Sequence, residues 1–252
     1  PFDMEAIASF RRYVDEAAPR IDGWVDPEIW SIVLIMHAIQ TRLSINGGSL
    51  EIGVHHGKFL LGLERLTAAE SVVLGIDVFE NQHLNIDGSG CGDRTTFENN
   101  VHQFADAPGR VKAVPADSLS IDYTDVLHHS RGARFRLVSV DGGHTAEHTL
   151  SDLRLTERII APGGIVFLDD YYNADWPGVH EGFVRSLADA PKLVPVITYA
   201  NKMVLCHLSW HRTISEMIGS TAQVLKMRVS GKPVSLLRHP FFNVHTCLTV
   251  EE

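Results

Sequence analysis

Only three cysteines occur in the 252 residues, Cys91, Cys206 and Cys247, far apart, odd in number and without a C-x-x-C spacing. That usage argues against a disulfide framework and fits a reducing, cytoplasmic setting. Basic residues are scarce as well. Against 31 Asp and Glu stand 22 Lys and Arg, leaving a formal charge of -9. No run of Lys and Arg is long enough to form a phosphate-binding stripe, so nucleic acid and anionic membrane are poor partners. Long apolar runs are missing too: the longest, 29–39, is interrupted by Ser31 and His37 and is too short to cross a bilayer. It reads as a buried helix. No leader-like pattern, internal repeat or low-complexity tract is visible.

What remains is ordinary globular material, 44% hydrophobic and 21% charged with a mean hydropathy near zero, enough for a single large α/β domain. Its parts read as a helical cap over 1–48, a core over 49–208 and an extension over 209–252. Phe2, Ile7, Phe10, Tyr13 and Val14 sit at helical spacing, which predicts an amphipathic helix over 2–17 that packs on a neighbour or on a second subunit, so a homo-oligomer is open. A second helix is expected from Asp26-Pro27-Glu28, with Asp26 as N-cap, to about Ser44.

Strand-like runs at 49–53, 72–78, 111–114, 135–141 and 164–169 alternate with helical patterns at 58–67, 94–105, 118–129, 145–160 and 176–188. Five strands with helical crossovers predict a parallel, doubly wound sheet, in which ligands bind beyond the carboxyl ends of the strands. Leu193–Ala200 and Met203–Leu208, joined only by Asn201-Lys202, predict an antiparallel hairpin, for a seven-stranded sheet in all. Beyond it a helix over 210–219 and strands near 223–229 and 233–238 are expected.

Each predicted strand ends in acid: Glu51, Asp77, Asp117, Asp141 and Asp169-Asp170. Carboxylates gathered at one rim repel unless something cationic joins them, which implies a cationic ligand or a metal. The first strand runs into Gly53-Val54-His55-His56-Gly57, a turn that either lets a nucleotide-like ligand approach the backbone or is merely tight. His55-His56 and His128-His129 are not expected to act as ligand pairs, because adjacent side chains diverge.

An E-x-G-x-x-x-G turn, an acid ending the second strand and a terminal hairpin resemble the class I S-adenosylmethionine-dependent methyltransferases with their Rossmann-like fold. More specific are Val140-Asp141-Gly142-Gly143-His144, Asp152-Leu153, Pro162-Gly163-Gly164, Leu168-Asp169-Asp170-Tyr171 and Pro177-Gly178-Val179. These resemble the branch of macrocin-type sugar O-methyltransferases and, more distantly, the catechol O-methyltransferases. The departure is His55, where the family's G-x-G-x-G turn has its middle glycine.

The resemblance implies Mg²⁺-assisted methyl transfer to a hydroxyl of a small molecule, a sugar or natural product. It places the cofactor at Glu51, Gly53, Gly57, Asp77, Val78, Phe79, Asp117, Ser118 and Asp141. Asp77 would accept the ribose hydroxyls, and Asp117 would bind adenine or simply cap a helix. Asp141, Asp169 and Asp170 are three hard oxygen donors suited to Mg²⁺, which lowers the pKa of a coordinated hydroxyl. His144 and Asp141 compete as general base. Phe79–Asp93 is expected to form a lid, with Phe79 and Glu80 near the adenosine, and Tyr171, Tyr172, Asn173 and Trp176 either meet the acceptor or pack the last helix. His144-Thr145-Ala146-Glu147-His148 also fits an H-x-x-E-H zinc signature. Two other functions stay open, a nicotinamide-dependent oxidoreductase and a non-catalytic nucleotide-binding protein.

Overall fold

The computed structural model describes residues 3–188, 192–241 and 245–251. The chain opens with α1 (Met4–Arg12), which runs on through a π-turn over Tyr13–Ala17. Ile7, Phe10 and Tyr13 of the amphipathic stretch are buried, while Phe2 lies outside the described residues. Helix α2 (Ile29–Arg42) is apolar all round and buried from Ile29 to Gln40 except at Ser31, as a helix with no polar face must be. Asp26 opens the turn before it, its Oδ1 accepting the Glu28 amide at 2.9 Å.

Then follow β1 (Gly48–Ile52), α3 (Lys58–Leu66), β2 (Val73–Asp77), α4 (Arg94–Phe104), β3 (Val111–Pro115), α5 (Tyr123–His129), β4 (Phe135–Val140), α6 (Ala146–Ile159), β5 (Ile160–Leu168), α7 (Pro177–Ser186), β6 (Leu193–Tyr199), β7 (Lys202–His207) and α8 (Leu208–Val224). Helix α5 starts later than its apolar pattern because Asp122 and Asp125 form a capping box. Short strands β8 (Arg228–Val229) and β9 (Lys232–Pro233) make a separate hairpin, and β10 (Ser235–Phe241) and β11 (His245–Glu251) follow.

The main sheet has the order β10-β11-β6-β7-β5-β4-β1-β2-β3. Strands β1 to β5 are parallel and β7 is antiparallel to β5. The sheet therefore has nine strands, not seven. The two extra ones come from the extension: β11 pairs in parallel with β6 and buries Cys247, Leu248 and Val250. The helix of the extension is longer than expected and absorbs residues 223 and 224, because Ile214, Ile218, Thr221 and Ala222 fall on one buried face.

Alternation along the strands divides the core between two faces. Leu137, Ile165 and Phe167 pack with α2, α3 and α4, whereas Val138, Val166 and Leu168 pack with α5, α6 and α7. Strand order reverses at β1, which lies between β4 and β2, so the ligand crevice should open beyond β1 and β4.

A buried polar knot lies behind the first core layer. Arg136 of β4, 5% exposed, donates from Nη1 to Gln40 Oε1 at 2.8 Å and from Nη2 to the Leu66 carbonyl, and its Nη2 lies 3.0 Å from His37 Nδ1. Burial, then the Arg136 charge, push the His37 imidazole down to about 3. An unfolded histidine takes up its proton near pH 6.5, so the native state keeps its full margin above that pH and loses it as pH falls toward 3. His37→Gln should remove roughly 2 kcal/mol of the stability difference between pH 7.5 and pH 5, read by urea denaturation at both. An unchanged pH dependence would show that His37 titrates freely.

Candidate active site

Gly53 follows β1 with φ +82°, and a Cβ there would stand 1.8 Å from the Asp141 carbonyl oxygen. Only glycine lets the ends of β1 and β4 close up, and the Asp141 amide then donates to the Ile52 carbonyl at 2.8 Å. His55 and Gly57 also have positive φ, +51° and +88°. The histidine that replaces the family's glycine thus keeps the left-handed backbone that glycine would favour.

That conformation also corrects the expectation that His55 and His56 diverge. Their ring centroids are 3.8 Å apart, and ligand atoms of Asp22, His55 and His56 lie within 4.8 Å of one another. Trp24 leans on His55 from the N-terminal segment, with ring centroids 5.5 Å apart.

Beyond these strand ends lies a cavity of about 930 Å³, lined by all six strand-end acids: Glu51, Asp77, Asp117, Asp141, Asp169 and Asp170. It is at the upper end of small-molecule sites, with room for a nucleoside-sized ligand and a second molecule. Gly53, Val78, Ser118, Asn173 and Trp176 also line it. Among the expected cofactor residues, Gly57 and Phe79 are not in the lining: Gly57 precedes α3 as its N-cap, and the Phe79 ring is buried beside Phe97. Tyr171 packs with Phe183, Tyr172 is largely exposed, and Glu80 accepts the Arg94 amide at 3.2 Å.

Asp77 grips the glycine turn. Its Oδ2 accepts the Val54 and His55 amides, each at 2.8 Å, and its Oδ1 accepts the Phe79 amide at 2.8 Å. Burial raises its pKa, against those amides, and Oδ1 keeps one lone pair for a ligand. Glu51 accepts the Leu60 amide at 2.9 Å, and burial pushes it up to about 8. Asp117 Oδ1 accepts the Leu119 amide at 3.0 Å.

His144 precedes α6 and is fully engaged. Its Nε2 lies 3.0 Å from Asp170 Oδ2 and its Nδ1 2.8 Å from Asp87 Oδ2, and its ring stacks on Trp176 at 4.3 Å. Burial alone would lower its pKa, but the bonds to Asp170 and Asp87 outweigh it and raise the value, favouring an imidazolium that donates from both nitrogens. Asp87 comes from the 79–93 loop and also accepts the His144 amide at 2.8 Å, so the loop crosses the mouth and is latched to the site. His148, also in the lining, has its Nδ1 2.7 Å from Thr145 Oγ1 and its Nε2 3.8 Å from Asp117 Oδ1. The H-x-x-E-H histidines therefore do not converge on one ion.

In the sequence Lys202 reads only as a turn residue beside Asn201. Its side chain instead runs into the cavity wall, 4% exposed, and its Nζ donates to Asp169 Oδ2. Burial opposes its charge, but Asp169 and Asp141 outweigh that and raise its pKa. The pKa of Asp141 is raised by burial and then by Asp169, against the pull of Lys202. The signal was topological: a hairpin between β6 and β7 must turn at the rim where β5 ends.

S-adenosylmethionine fits this site, since its sulfonium and ribose suit an acid-lined cavity with a Cβ-free turn. A magnesium ion on Asp141, Asp169 and Asp170 does not fit the arrangement as it stands. Lys202 holds Asp169, and the metal-capable group near it is Asp141, His144 and Asp170, whose ligand atoms lie within 4.8 Å. In that group His144 is hydrogen-bonded to Asp170, and Mg²⁺ prefers oxygen donors in near-octahedral array.

Residues 50–171 match a family described as a methyltransferase domain. Among solved structures, the O-methyltransferase NovP is similar at 14% identity with a TM-score of 0.55, over 71% of this chain and 80% of that one. The O-methyltransferase TomG from Streptomyces achromogenes, solved with S-adenosylmethionine, is 17% identical with a TM-score of 0.52 over 81% and 89%. The MycE methyltransferase, solved with Mg, SAH and mycinamycin VI, is 17% identical with a TM-score of 0.50 over 81% and 54%. No curated protein matches in sequence. Among the described residues no helix is long and apolar enough to cross a membrane.

Two substitutions test the geometry. Gly53→Ala should destabilise the fold, lowering the melting temperature by several degrees, and should abolish S-adenosylhomocysteine binding by calorimetry; wild-type affinity would refute the close approach. Asp87→Asn should bring the His144 pKa down toward its ordinary value by NMR titration and speed protease nicking within 79–93. No change in either would dissolve the latch.

Proposed function

We propose that this class I S-adenosylmethionine-dependent methyltransferase acts on a hydroxyl of a small molecule, with sugars and oxygenated natural products as the acceptor class. The observation that carries the reading is the meeting of all six strand-end acids on one cavity that Asn173 and Trp176 also line. An aromatic face beside hydrogen-bonding groups suits a sugar or phenolic ring. NovP and TomG are O-methyltransferases, which supports an oxygen nucleophile, and the MycE methyltransferase was solved with mycinamycin VI, which supports a small-molecule acceptor.

The bound donor supplies an activated methyl group on a sulfonium, which needs no further activation. The chain's part is to position, to exclude water and to move one proton. On the cofactor side, Asp77 would offer its free lone pair to the ribose, and Ser118 and Asp117, in the same lining, would meet the base. Gly53 and Glu51, both in the lining, would leave room for the methionine end. Holding the acceptor oxygen in line with the methyl group supplies much of the rate.

Asp141 is the better general base of the two candidates. Both ring nitrogens of His144 are occupied, whereas Asp141 lies in the cavity wall with its basicity increased by burial and by Asp169. His144 instead clamps Asp170 and the 79–93 loop. Magnesium assistance, implied by the resemblance, would require Lys202 and His144 to leave their carboxylates; the MycE structure was solved with Mg.

Asp141→Asn should lower turnover about 10²–10⁴-fold while keeping S-adenosylhomocysteine affinity within a few-fold. Hydroxylated sugars and phenols screened with methyl-labelled donor supply the assay. Binding of NADH in place of S-adenosylhomocysteine would overturn the reading in favour of a nicotinamide enzyme.

A further inference from the structure

Lys202 is the first residue of β7, just after Ala200 and Asn201 turn the hairpin, with Ala200 at φ +49°. A lysine that only ended a turn would extend into water, because its ammonium is strongly hydrated. This one is 4% exposed and lies with its Nζ 4.7 Å from the Phe59 ring centroid. Its Nζ is ion-paired with Asp169 Oδ2, and Asp141 and Glu51 are the other acidic side chains acting on it. It lines the same cavity as Asp141, Asp169 and Gly53. An ammonium has three N–H groups. Asp169 takes one, leaving two on a nitrogen whose side chain lines the cavity.

We propose that the Lys202 ammonium takes the place that the resemblance gives to a divalent cation, binding and polarising the acceptor oxygen beside Asp141, so that methyl transfer is independent of metal. The inference rests on the O-methyltransferase reading. The two roles exclude each other on charge: an ion on Asp169 and Asp141 would meet a fixed positive charge already paired with one of its ligands. A hydrogen bond from an ammonium stabilises the negative charge that develops on an acceptor oxygen, as a coordinated cation would, and leaves no coordination sphere to fill.

The step balances without a metal. The acceptor O–H bond breaks and its proton passes to the Asp141 carboxylate. The oxygen forms a bond to the methyl carbon of S-adenosylmethionine, and the C–S bond breaks with its electron pair going to sulfur, giving S-adenosylhomocysteine and the methyl ether. Lys202 keeps all three protons throughout.

The test titrates Mn²⁺ into the full chain saturated with S-adenosylhomocysteine, followed by electron paramagnetic resonance. Wild type should show no saturable site below millimolar Mn²⁺. Lys202→Gln should gain one at least tenfold tighter, and Asp169→Asn on that background should remove it. Sub-millimolar binding to wild type that Asp169→Asn abolishes overturns the proposal, as does a folded Lys202→Gln that gains no site. The wild-type titration stands even if Lys202→Gln does not fold. A parallel titration of S-adenosylhomocysteine separates the two readings, since its failure to bind removes the methyl transfer itself, whereas donor-product binding together with tight wild-type Mn²⁺ overturns the lysine alone.

Discussion

Everything about this rim follows from the need to hold six carboxyl groups on one cavity wall. Like charges at that density repel, and each is partly buried away from the water that would screen them. One ammonium and one imidazole whose charged form its neighbours favour relieve the strain. Lys202 comes from the antiparallel hairpin to Asp169, and His144 sits between Asp170 and Asp87. The remaining negative charge is met by main-chain amides, as at Asp77, or avoided by holding a proton, as burial favours at Glu51. The rim is thus an internally compensated network in which removing one member shifts several others.

The compensating groups lie far from the carboxylates in sequence, and the fold brings them together. Lys202 reaches Asp169 because β7 lies against β5, with Leu168 opposite Met203. Asp87 reaches His144 because the connection after β2 is long enough to cross β1 and arrive over β4. One is carried by a rigid sheet edge and the other by a loop, so the two contacts have different mechanical character: the lysine is locked, while the loop can leave.

The alternation of strands and helices was legible because β1 to β5 are apolar runs ended by acid or glycine, and periodicity reports burial directly. The acids at their ends were legible for the same reason. Lys202 was not, because a lone lysine beside Asn201 has the composition of any turn and acquires its role only from the strand opposite. The approach of His55 to His56 was hidden in a single dihedral, the positive φ of His55, which no pattern of residue types encodes. Of the last hairpin, β10 overlaps the strand expected near 233–238, whereas β11, which joins the main sheet beside β6, was not anticipated. Phe79 was expected at the ligand by analogy, but a phenylalanine with Phe97 and a core beside it gains more by burial.

Lys58 begins α3 immediately beyond the glycine turn, and the N-terminal segment holds it at both ends: its carbonyl accepts the Tyr13 hydroxyl at 2.6 Å, and its ammonium donates to the Gly23 carbonyl at 2.8 Å. Trp30 also stacks on Phe59 at 5.1 Å. The first thirty or so residues are therefore a structural member of the crevice and not a detachable prefix. Trimming them to obtain a minimal catalytic fragment would bare the aromatic flank of the turn and set its helix adrift, so the smallest autonomous folding unit extends well upstream of the stretch that matches the methyltransferase family.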